Sequence, residues 1–136
     1  MGESTVVKIV GVRVIQRGGG VATRPLITRA NAPTSLITTG ITEFPPGEGA
    51  RMHTHNCDEQ VTILGGEGLA EIDGKTTAVG LHDTTYILAG QRHRFENTGD
   101  APMTILWIYT GQDVTRTFAD TGETVAHLSS EDLLAS

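Results

Sequence analysis

His53-Thr54-His55 is the sharpest chemical feature of this sequence. Residues two apart on a β-strand point to the same face, so a strand here brings both imidazoles to one point. Glu59 follows His55 by four residues, again an even spacing, and adds an oxygen donor on that face. His93, on a later strand candidate, supplies a third nitrogen across a closed sheet. Three neutral imidazoles and a carboxylate form a borderline donor set. It suits divalent Fe, Mn, Co, Ni or Zn, with a position or two open to substrate or water. Parity also admits Cys57, whose thiolate would favour zinc or another thiophilic metal. A turn between His55 and Asp58 would break the alternation, so spacing permits two ligand sets and does not choose.

Other side chains flank this group. Arg51, Arg92 and Arg94 are each able to hold a substrate carboxylate through a bidentate fork, while at least two of them are expected in surface salt bridges. Trp107 and Tyr109 share one face of a strand, and Leu106 and Ile108 share the other. One pair lines the pocket and the other packs outside or at a dimer contact; the pattern does not say which. Phe95 and Asn97 alternate with His93 and continue toward the same cavity. Gln60 faces away from Glu59, His82 beside Asp83 reads as a solvated turn, and His127 as structural or exposed. Cys57 is either a thiol near the metal or a small loop side chain.

The elements that must position these groups are strands. Ten Val, ten Ile and twenty Thr make forty of 136 residues β-branched, a type that packs well on a pleated surface. Seventeen Gly and five Pro supply frequent turns. Strand candidates cover 5–15, 25–29, 35–44, 51–55, 59–64, 69–72, 75–79, 84–88, 91–97, 102–110, 114–118 and 124–127. Pro45-Pro46-Gly47 ends one of them, because proline cannot donate to a ladder. Asp73-Gly74 marks a tight hairpin. Ser129 followed by Asp132 resembles a capping box and predicts a short C-terminal helix. The expected whole is one antiparallel barrel or sandwich of about eight to ten strands.

Composition excludes several classes. A formal charge of −6 argues against a general nucleic-acid binder. No apolar run reaches the roughly 20 residues of a membrane span. The start, Met1-Gly2-Glu3-Ser4, shows no secretory pattern, and one cysteine excludes an intrachain disulfide framework, so a cytoplasmic location is expected.

Gly47, His53, His55, Glu59 and Gly66 resemble the first motif of the cupin superfamily without a departure in spacing. The stretch from His82 to Asn97 resembles the second, carrying Gly90, His93 and Asn97. His82 stands there where the family usually has Gly, and Leu88 where it usually has Pro. The resemblance implies a jelly-roll barrel over residues 1–136, with its core at about 35–112. It implies His53, His55, Glu59 and His93 as ligands of one divalent transition metal per chain, choosing Glu59 over Cys57. It also implies a homodimer paired through residues 5–15, and an enzyme for a small organic substrate. A dioxygenase is the leading expectation, with Glu59 as a proton shuttle and Arg51, Phe95, Trp107 and Tyr109 as substrate contacts. Isomerase, decarboxylase, lyase and polyketide cyclase chemistry, or metal or ligand binding without turnover, are the alternatives. Val61 stands where the dimethylsulfoniopropionate lyase type carries Tyr, which counts against that reaction.

Overall fold

Turn residues cut this β-branched chain into twelve strands among residues 4–135, the part that the computed structural model describes. They are β1 Ile15–Gln16, β2 Ala22–Pro25, β3 Thr38–Phe44, β4 His53–His55, β5 Glu59–Gly65 and β6 Gly68–Ile72, then β7 Lys75–Val79, β8 Thr84–Ile87, β9 His93–Glu96, β10 Met103–Tyr109, β11 Thr115–Phe118 and β12 Thr124–Ala126. The expectation of eight to ten is exceeded because several are pieces of two to four residues. The strands form two six-stranded antiparallel sheets, in the orders β1-β2-β3-β10-β5-β8 and β12-β11-β4-β9-β6-β7. This is the all-β jelly-roll barrel that the motifs imply.

Strict alternation of buried and open positions puts one side of each central strand inside. In β10 it selects Met103, Ile105, Trp107 and Tyr109, so Leu106 and Ile108 are the outward pair. In β5 it selects Glu59, Val61 and Ile63. Directly opposite residues in an antiparallel pair share a face. Tyr109 is opposite Glu59, His53 opposite His93, and His55 opposite Arg116. The register therefore gathers the three imidazoles from one sheet, and Glu59 with Tyr109 from the other, on the inner faces.

Two turns show local backbone chemistry. Asp73 and Gly74 both have positive φ, 51° and 83°, the geometry that a two-residue hairpin needs between β6 and β7. His82 has φ 69°, so the position where the family carries glycine holds a left-handed conformation here as well. The second departure also has a use: the N–H of Leu88, which proline would lack, donates to Gln91 Oε1 at 2.9 Å.

Three expectations need correction. The strand expected over 25–29 is displaced to β2, Ala22–Pro25. Residues 5–14 form no strand; they hold a 3-10 turn at Ile9–Gly11 and lead into the two-residue β1. Apolar residues fall on both sides of this segment and no ladder partner lies beside it, which leaves Val10 93% exposed. The predicted C-terminal helix is a series of turns. Asp132 does not cap; its buried carboxylate pairs with Arg17 and Arg116 and accepts from the Leu128 N–H. No helix among the described residues is long and apolar enough to cross a membrane.

Candidate metal centre

Each of three buried imidazoles donates its Nδ1–H to a backbone carbonyl. His53 donates to Arg51, His55 to Thr115 at 2.9 Å and His93 to Gln91 at 2.9 Å. A carbonyl only accepts, so Nδ1 carries the proton and Nε2 presents its lone pair inward. The ligand-capable atoms of the three rings all lie within 4.8 Å of one another. Glu59 Oε1 lies 3.1 Å from His93 Nε2 and 3.6 Å from His55 Nε2. A lone pair facing a carboxylate oxygen at such a distance needs a proton or a cation between them.

Burial favours the neutral form of His53 and His55. It holds His53 well below its ordinary pKa, helped by the positive charge of Arg116, and lowers His55 to about 3. For Glu59 burial works against ionisation, but its close contact with His93 and the positive charge of Arg116 prevail and keep the carboxyl below its usual range. Neutral nitrogen donors and an ionised carboxylate converging on one point fit a divalent transition metal. Tyr109, pushed well above its ordinary pKa mainly by burial, stays a phenol. Its hydroxyl donates to His55 Nε2 at 3.2 Å. Cys57 is half-buried in the loop between β4 and β5, and burial raises its pKa, so it is a poor thiolate.

A cavity of about 30 Å³ adjoins this group, with Phe95, Trp107 and Tyr109 in its wall. Three of the four expected substrate contacts are thus placed together. Arg51 is not among them: its guanidinium pairs with Asp120 at 2.7 Å and stacks over Phe118 at 3.8 Å, on the outside. Arg92 is exposed and Arg94 pairs with Glu96 at 3.2 Å. Asn97 is buried and holds the carbonyls of Phe44 and Ala101. Sequence reasoning missed the arginines that do face the cavity, Arg17 and Arg116, and it left His127 outside the site. A strand parity argument run on β11 would have found Arg116 opposite His55; nothing local marks Arg17.

Comparison with known proteins agrees with this geometry. Residues 40–109, just over half of the chain, match the family model described as the Cupin domain. The tetracenomycin polyketide synthase protein TcmJ of Streptomyces glaucescens is 28% identical over 112 residues, 78% of this chain and 74% of that protein. The crystal structure of a predicted oxalate decarboxylase from Thermotoga maritima is 26% identical with a TM-score of 0.68, covering 77% of this chain and 97% of its own. The polyketide cyclase RemF of Streptomyces resistomycificus shares the fold, with a TM-score of 0.70 at 18% identity over 96% of this chain and 89% of its own. Other curated matches are partial, this chain spanning between 17% and 54% of their lengths. The family pattern takes in β4, β5, β9 and β10, the strands that carry the imidazoles, Glu59 and Tyr109, and this chain belongs to the cupin family.

Proposed function

We propose that this chain is a metal-dependent enzyme acting on a small organic molecule, with one divalent transition metal held by His53, His55, Glu59 and His93. The observation that carries this reading is the three Nε2 lone pairs, fixed by backbone carbonyls and converging beside an ionised carboxylate. A metal bound there supplies Lewis acidity toward a substrate oxygen, or a place for dioxygen beside it. The chain's own contribution is proton handling. Glu59 is the carboxylate beside two ring nitrogens, Tyr109 keeps its hydroxyl proton, and His127 borders the cavity as a neutral ring.

These groups support a non-redox reaction, in which Glu59 takes a proton from a carbon next to a polarised carbonyl and returns it elsewhere. Aldol cyclisation and isomerisation are of this kind; decarboxylation shares only the second half, release of CO2 leaving an enolate that is then protonated. The polyketide synthase protein and polyketide cyclase among the similar proteins have names in keeping with the first. A dioxygenase is the second reading, supported by a cavity near the size of one water or dioxygen molecule. The test begins with element-by-element metal content of untagged protein, for wild type and His53→Ala. About one metal per chain, lost in the variant, is expected. A panel of β-keto acids and phenols is then assayed under argon and in air. Turnover without oxygen supports the non-redox reading, oxygen uptake matched to product replaces it with the dioxygenase, and absence of metal after reconstitution sinks both.

A further inference from the structure

Much of the cavity wall facing the candidate ligands lies outside the stretch that matches the family. Arg116 belongs to β11, His127 follows β12, and Arg17 follows β1. Arg17 Nη2 lies 2.8 Å from Asp132 Oδ2, and Arg116 Nε lies 2.7 Å from Asp132 Oδ1 without hydrogen-bond alignment. All three side chains are at most 4% exposed. Two arginines against Asp132 and Glu59 leave no net charge; a divalent ion would leave two positive charges unanswered. Buried charge without a partner is costly, so such a site favours an anionic ligand.

The hydrogen bonds point the same way. Arg116 Nη1 donates to His53 Nε2 at 2.8 Å, and the Tyr109 hydroxyl to His55 Nε2 at 3.2 Å. Once those lone pairs serve a metal, neither donor has an acceptor, and both are free for an oxygen beside it. His127 sets its ring edge-on to Trp107 at 5.0 Å and to Tyr109 at 4.9 Å. Its Nε2 is buried with no hydrogen-bond partner among the described residues, a cost that a ligand would remove. His127 also borders a second, larger space. A cleft of about 830 Å³ separates the segment before β1 from the barrel, walled by Val7, Val12 and Leu26, with exposed Lys8 and Arg13 beside them. On a chain of formal charge −6, cations gathered at one cleft complement an anion. The inner cavity holds about one water-sized group, so the body of a substrate must lie in the cleft.

We propose that Arg116, Tyr109 and His127 bind the substrate through an anionic oxygen, and that the substrate is a small organic acid or enolate whose apolar body fills the cleft beyond His127. This rests on the metal-centre reading. The test titrates zinc-loaded and metal-free protein with cyclohexanecarboxylate and its neutral isostere cyclohexanecarboxamide. Binding is read from the emission of Trp107, the chain's single tryptophan, and zinc per chain is measured alongside. The loaded protein should bind the acid roughly tenfold more tightly than the amide. Arg116→Lys retains a charge for Asp132 but loses the fork, and should weaken acid binding roughly tenfold with little effect on the amide. His127→Leu should also weaken acid binding, keep wild-type zinc content, and raise the Tm, because it removes an unpaired buried nitrogen. A merely structural His127 would instead lower the Tm and leave acid binding unchanged, which overturns its role. Equal binding of acid and amide, or no saturable binding of the acid, overturns the proposal while zinc content upholds the metal centre. Failure to bind zinc with the acid still preferred refutes the metal centre and leaves the arginine's role standing.

Discussion

Mild acid should unfold the metal-free protein, and the size of the effect follows from three imidazoles, two of them buried and the third, His127, half-buried with its Nε2 shut away from water. His53, His55 and His127 all have pKa values lowered chiefly by burial, the first and last well below the ordinary range and His55 to about 3. In the unfolded chain each titrates near 6.5. Below pH 6.5 the unfolded form therefore binds more protons than the folded one, and stability falls with pH. It is fully present above 6.5 and is lost as pH falls toward the folded-state values. Between pH 7 and pH 5 each group costs about 2 kcal/mol, so the three together remove about 6 kcal/mol, comparable to the entire stability of many small domains. Near pH 5.5 the slope should approach about 4 kcal/mol per pH unit. Glu59, with its carboxyl held below the usual range, adds a loss of the same sign below about pH 4.5.

Thermal melts in a chelating buffer at pH 7, 6 and 5 measure this, followed by far-ultraviolet circular dichroism. A Tm that is flat across this interval would refute the burial of neutral rings on which the site is built. His127→Leu should lower the slope by one proton's worth. Zinc at a hundredfold excess over its Kd should add about 2.7 kcal/mol at pH 7, a gain that shrinks in acid as protons compete for the same nitrogens.

Three further outcomes are expected. Gly40→Ala places a Cβ 2.2 Å from Trp107 Cζ2 and 2.9 Å from the Arg24 carbonyl, and should cost about 1–3 kcal/mol with a shift in Trp107 emission; an unchanged spectrum and Tm would mean that the indole lies elsewhere. His82→Gly relieves a left-handed residue on the exposed turn before β8 and should add about 0.5–1 kcal/mol, a Tm rise of a few degrees; a fall would show that the His82 side chain matters there. Sedimentation should give twice 14.4 kDa, because Ile9, Val10 and Val14 are exposed on a segment without a ladder partner of its own; a dilute monomer, or a dimer untouched by Val10→Asp, would refute pairing through residues 5–15.

The sequence made the barrel and the nitrogen donors legible because both are governed by short-range rules. Alternation within β4 aligns His53 with His55, whereas Glu59 reaches the same point because the intervening loop crosses to the other sheet and β5 opens with Glu59 on that sheet's inner side. Parity alone left Cys57 and Glu59 equivalent; what separates them is that Cys57 sits in the loop and Glu59 begins β5 opposite Tyr109. The choice between Trp107 with Tyr109 and Leu106 with Ile108 was likewise beyond periodicity, which fixes the period of a strand but not its phase. Gly40 sets that phase. It lies opposite Trp107, and the missing Cβ leaves room for the indole. Residues 5–14 misled because loose alternation is necessary for a strand and not sufficient; a strand also needs a neighbour with free donors and acceptors.

What escaped the sequence has one physical origin. Arg51, Arg92 and Arg94 are close to the ligands in the chain, yet odd offsets from inward-facing His93 direct Arg92 and Arg94 away from the cavity, and Arg51, at an even offset from His53, lies before β4 begins and turns to Asp120. Arg17 and Arg116 are far from the ligands in sequence and are turned inward by the ladder of their sheets and by a shared carboxylate 115 residues from Arg17. A guanidinium is buried only where an anion meets it, so its orientation is decided by a partner from another part of the chain. Spacing and motif rules reach the candidate ligands, which lie on three strands, β4, β5 and β9; they do not reach residues whose placement depends on a distant counter-charge. In this fold the candidate metal donors are therefore readable from local motifs, whereas the groups proposed to bind an anionic substrate become visible only when the C-terminal hairpin is in place.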